Sequence, residues 1–155
     1  MGSTKLVVPK QLSQVTLWVH PEGIVDGALF LSIEHDPSRP EDPLQVLNHS
    51  SPFIVVRRQD PDELRFYSKS SIVRVHYRAE EPESQALSRL GCTFHMMDGS
   101  LLRGEIRRDL PPDRSRFYDF LNLEKERFAK LYLEEDQVCL VNKSYIVCGL
   151  DESNQ

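Results

Sequence analysis

The chain has 155 residues, 39% hydrophobic and 28% charged, a make-up that suits one ordinary soluble domain or two small ones. It contains no apolar run of about 18 residues, so it offers no membrane-spanning helix, and Leu6-Val7-Val8 is too short for the core of a secretion signal. The net charge of −5 falls in the second half, since residues 1–78 carry 9 basic and 9 acidic side chains and residues 79–155 carry 10 and 15, which makes DNA an unlikely partner for want of a long-range basic field.

Cys92, Cys139 and Cys148 are odd in number and form no CxxC pair, which argues against a disulfide framework. Three buried free thiols in a reducing compartment are expected, and with them a cytoplasmic protein. Cys92 and His95 make an isolated CxxH without a second ligand pair, so no metal or other cofactor is expected.

The predicted elements come in two matching series. After an N-terminal arm (1–13), the first strand is Val15–His20, rich in β-branched and aromatic residues. Pro21-Glu22-Gly23 turns it, with glycine where φ is positive. The second strand contains Gly27, a residue that marks a bend within a strand. Pro43-Leu44 and Leu47 suggest a short helix. Strands then follow at 53–58, 64–67 and 72–77, the last two separated by a Lys69-Ser70 corner. A polar, acidic linker (79–90) comes next, with one helical turn expected over 85–90.

The second series repeats the first. Thr16-Leu17 matches Thr93-Phe94 and Gly27 matches Gly104, both at an offset of 77. Leu47-Asn48 matches Leu121-Asn122, Lys69-Ser70 matches Lys143-Ser144 and Ile72-Val73 matches Ile146-Val147, all at 74. Phe53 matches Phe128 at 75 and Asp60 matches Asp136 at 76. The offsets shift within connections and not within strands, which is the mark of duplication. Asp98-Gly99-Ser100 is the second copy's first turn. Pro111-Pro112-Asp113 leads into Phe117, Phe120 and Leu121, one apolar helical face. Residues 151–155 form a tail. The fold class expected is mainly β: two tandem five-stranded, strongly bent small barrels at 14–78 and 91–150, each with a short helix between strands two and three.

Small bent barrels of five strands with a lysine corner before the last strand describe an SH3-like or Sm-like design. Residues 97–106 (MDGSLLRGEI) resemble the first motif of the bacterial Sm-like proteins of the Hfq kind, and 138–146 (VCLVNKSYI) resemble the second. The resemblance implies assembly through edge strands, as a pseudo-dimer or a six-module ring of three chains, and a corner that contacts RNA through Lys69, Ser70, Asn142, Lys143 and Ser144. Where that family has histidine after the corner lysine, this chain has Ser70 and Ser144.

Two further patterns are candidates for binding. Arg103, Arg107 and Arg108, with Arg114 and Arg116, form a basic cluster suited to phosphate or to the chain's own carboxylates. Arg74 and Arg78 form an RxxxR ahead of Asp98 and Ser100, similar to the cyclic-di-GMP site of PilZ barrels, although Gly104 falls one residue late for that motif. The five histidines are scattered, and no GxSxG, HExxH or phosphate-loop motif occurs. The sequence therefore leads to a non-enzymatic bacterial interaction module that partners a protein or itself, with an RNA-binding regulator as the first alternative and a cyclic-di-GMP receptor as the second.

Overall fold

The computed structural model describes residues 10–33, 41–79, 88–108, 116–123, 125–134 and 136–152. The expected cap at Pro111-Pro112-Asp113, Arg114 and most of the expected linker and tail lie outside the described residues.

The first half runs β1 (Lys10–Val19), β2 (Gly23–Ser32), α1 (Pro43–Asn48), β3 (Phe53–Arg58), β4 (Glu63–Ser68), a 3-10 turn at Lys69–Ser71 and β5 (Ile72–Arg78). The second runs β6 (Ser88–Met96), β7 (Leu101–Arg108), α2 (Arg116–Leu121), β8 (Phe128–Tyr132), β9 (Gln137–Asn142), a 3-10 turn at Lys143–Tyr145 and β10 (Ile146–Asp151). Pairing is antiparallel throughout and alike in both halves. β1 joins β2 and β5, as β6 joins β7 and β10, and the third strand of each half lies between the second and fourth.

The expectation of two separate barrels needs correction. β5 also pairs with β9, and the ten strands form one unclosed sheet in the order β10-β6-β7-β8-β9-β5-β1-β2-β3-β4. Half a chain of this size has a thin core, and sharing a sheet thickens it. Two boundaries move as well. β1 starts at Lys10, inside the expected arm, and β6 starts at Ser88, where a helical turn was expected. Leu90 decides the second point, because it is fully buried opposite Ile106 in the β6–β7 ladder.

Side-chain alternation places the cores. Val15, Leu17 and Val19 on β1, and Leu90, Cys92, Phe94 and Met96 on β6, are buried at every second position. At the β5–β9 seam the faces divide. Leu17, Val75 and Leu140 lie in register and belong to the first core, while Cys139 and Val141 belong to the second. The two cores therefore lie on opposite faces of the sheet at the seam. A fully buried Leu, Val or Phe contributes about 1.5–3 kcal/mol, so the loan of Phe128, Val138 and Leu140 to the first core is a large part of what joins the halves.

Gly23 and Gly99 hold φ of 101° and 88°, as their turns require. Gly27 and Gly104 serve a different need, close approach to the next strand. A Cβ at Gly27 would lie 2.7 Å from Val56 Cγ1 and 2.8 Å from Arg57 O, and one at Gly104 would strike Tyr132 O. α1 begins with a capping box in which Gln45 N donates to Asp42 Oδ1 (2.9 Å) and Asp42 N donates to Gln45 Oε1 (2.8 Å).

Candidate functional site

The paired corners are structural on their inner side. Lys69 is buried, and its ammonium donates to His49 O at 2.7 Å, at the end of α1. Lys143 Nζ donates to Phe120 O (3.2 Å) and Leu123 O (3.3 Å), at the end of α2, and sits 5.4 Å from the Phe120 ring centre. Both lysines thus satisfy carbonyls at a helix C-terminus, where a cation is favoured. Burial pushes both ammonium pKa values down. The corners were expected at the surface. Their serines are less enclosed: Ser144 is exposed, and Ser70 exchanges a 2.8 Å hydrogen bond with Ser68.

Asn142 reaches across the seam. Its fully buried side chain donates to Lys69 O (3.2 Å) and Ile72 O (2.9 Å) of the first half and accepts from Ser144 N (3.0 Å) of its own corner. Tyr145 Oη adds a bond to Ser70 O at 3.1 Å. The structure therefore gathers Lys69, Ser70, Asn142 and Ser144 at one junction, where the side chains of Asn142 and Tyr145 bind the second half to backbone carbonyls of the first.

Arg103, Arg107 and Arg108 of the arginine cluster pair with the chain's own carboxylates. Arg107 donates to Glu105 at 2.9 Å and lies 4.2 Å over the Tyr132 ring, while Arg108 is held by Glu126 at 2.7 Å. Arg103 bonds Thr93 (3.3 Å) and approaches Glu152, which also accepts from Thr93. Arg107 and Arg108, with Lys130, Phe120, Tyr132 and Leu44, line a cavity of about 230 Å³.

Arg74 and Arg78 part company. Arg74 stacks 4.3 Å over Trp18, donates to Ser100 Oγ at 3.0 Å and lies 3.9 Å from Asp98. Arg78 pairs with Asp136 at 3.0 Å across the seam. Asp98 in turn accepts from Ser100 N and Oγ, which holds its carboxyl below the usual range. The expected set Arg74, Arg78, Asp98 and Ser100 thus converges only in part, and its charges are engaged within the chain. Trp18 was not foreseen in this role. Arg74 lies over its ring, and the His76 ring packs against it at a tilt of 41° with centres 4.3 Å apart. Desolvation, then Arg74, lowers the His76 pKa to about 4.

Cys92 and Cys139 are buried, and desolvation raises both thiols to about 12. Cys148 is exposed on β10, contrary to expectation, because that strand lies at the sheet edge. Among the described residues no three His, Cys, Asp or Glu side chains group to hold a metal, and no helix is long and apolar enough to cross a membrane.

The sheet ends on two open edges, β4 and β10. Both carry bare apolar side chains: Leu64 and Phe66 on β4, Val147 and Leu150 on β10. No family model, curated protein or solved structure matches the chain.

Proposed function

We propose that the protein is a non-enzymatic assembly module, built from two Sm-like units, that associates with itself through the open edges of its sheet. An edge strand presents unpaired N–H and C=O groups, and natural proteins usually blunt such an edge with charge, proline or a cover. The observation that carries the reading is the pair of edges β4 and β10, each bearing exposed apolar side chains, Leu64 and Phe66 between the charges of Glu63 and Arg65 on β4 and Val147 and Leu150 on β10. The seam supports it from inside the chain, since β5 and β9 already join two units by strand pairing.

Light scattering over a concentration series tests the proposal. The expected result is a mass that rises above one chain, and a return to one chain on Phe66→Glu or Val147→Glu with the circular dichroism spectrum unchanged. A strict monomer at high concentration would refute it.

RNA binding is a second reading, favoured by the cavity in which Arg107, Arg108 and Lys130 surround Tyr132 and Phe120. It requires RNA to displace Glu105 and Glu126 from their arginines. Filter binding at low salt with uridine-rich and adenine-rich oligonucleotides decides it: retention that falls on Arg107→Ala/Arg108→Ala supports it, and no retention removes it.

A further inference from the structure

We propose that one copy of the chain docks on the next head to tail, β4 of one against β10 of the other, in the register that β9 and β5 hold at the internal seam. This rests on the edge-pairing reading above and names its geometry. The internal repeat supplies the template. β4 and β9 both end just before a lysine corner, and an offset of 74 relates Glu63–Ser68 to Gln137–Asn142. The same offset relates β5 to β10.

Burial shows what the template lacks at the ends of the sheet. At the seam Phe128, Val138 and Leu140 are 1%, 0% and 0% exposed, because they lie on the first core. Their counterparts Phe53, Leu64 and Phe66 are 55%, 54% and 70% exposed. On the receiving strand Val73 is 7% exposed and its counterpart Val147 is 63%. Four side chains buried by the seam arrangement therefore have apolar counterparts left bare on the outer elements. Leaving such groups in water forfeits burial that the same positions gain inside the chain.

A polar clamp follows the same pattern. Asn48, at the end of α1, brackets the backbone of Phe128: its Nδ2 donates to Phe128 O at 3.2 Å, and Phe128 N donates to its Oδ1 at 2.8 Å. The repeat places Asn122 at the end of α2 and Phe53 at the start of β3. Asn122 is exposed, and its amide is spent on Tyr118 O within its own turn. In the proposed contact Asn122 of one copy brackets Phe53 of the next.

The seam pairs His76 with Cys139 and Val75 with Leu140. The transplanted register therefore sets Leu150 opposite Arg65 and Gly149 opposite Phe66. A Cβ at Gly149 would lie 3.1 Å from the Phe117 ring and 3.3 Å from the Phe94 ring, so an incoming Phe66 meets an aromatic surface. One part of the template changes: Ser68 stands where Asn142 does, and its short side chain cannot make both of that residue's reaches across the seam.

The test uses the full chain carrying Cys148→Ser, in which Cys92 and Cys139 remain buried. Arg65→Cys and Leu150→Cys are made separately, one with a size tag, and mixed under mild oxidation. The expected product on a non-reducing gel is the heterodimer, formed in the mixture and from neither variant alone. A homodimer from either variant would mean that like edges meet, and would overturn the proposal. Association by light scattering without any cross-link would overturn the register and leave edge pairing standing. A strict monomer would remove both. As a second check, Asn122→Ala should raise the half-association concentration by about tenfold for two lost hydrogen bonds. An unchanged value would overturn the transplanted geometry.

Discussion

Lys69 is a charged residue in a buried setting. Its ammonium is buried on one carbonyl, that of His49, at the close of a helix twenty positions earlier. Lys69→Met removes the donor and leaves that carbonyl without it, so a loss of about 1–3 kcal/mol in urea unfolding is expected. The sequence displays a Lys-Ser corner, which suits a solvated turn, and nothing local reveals that a helix end arrives beneath it. His76 gives a prediction on pH. Its imidazole takes a proton near 6.5 when unfolded and only near about 4 when folded, chiefly because it is desolvated. Between those values the unfolded chain holds the extra proton, so stability falls as pH drops through the window and is unaffected by this group above it. Urea midpoints measured from pH 7 to pH 4 should show that fall, and His76→Gln should flatten it.

At the scale of elements, β4 and β9 occupy the same place in their halves and meet opposite surroundings. In β9, Val138 to Asn142 are all buried, as suits a strand covered on both faces, whereas β4 alternates charge and apolarity through Glu63, Leu64, Arg65 and Phe66. That contrast was present in the sequence and signals an interior strand and an edge. What the residues of a strand do not encode is its neighbour, so the β5–β9 pairing that merges the two units could not be read from either strand alone. The turns were legible, because the positive φ at Gly23 and Gly99 demands glycine, whereas Gly27 and Gly104 were expected to mark bends and instead allow close approach of the next strand. Gly27→Ala and Gly104→Ala should each cost about 1–3 kcal/mol, since the added methyl meets backbone on the adjacent strand. Chemical denaturation of each variant measures this, and wild-type stability in both would show that the strands can part without penalty.

At the scale of the whole molecule, charge separates the inner seam from the proposed contact between copies. Inside, Arg78 meets Asp136 at 3.0 Å. In the proposed contact between copies, the repeat sets Glu152 in place of Arg78, facing the acidic turn of Asp60, Asp62 and Glu63. Screening weakens that repulsion, so association between copies should tighten as salt rises from ~0.01 to ~1 M, over which the screening length falls from ~30 to ~3 Å. Sedimentation across that range checks the sign, and weaker association at high salt would contradict this placement of charges.

The covalent link between the two repeats, which runs from β5 to β6, also restricts how any circle of such chains could close. Each added chain advances the circumference by two repeats and never by one, so a closed assembly can hold four, six or eight repeats but no odd number. Joining the repeats in one polypeptide thus fixes the parity of the oligomer, a property that free single repeats would leave to the angle between neighbours.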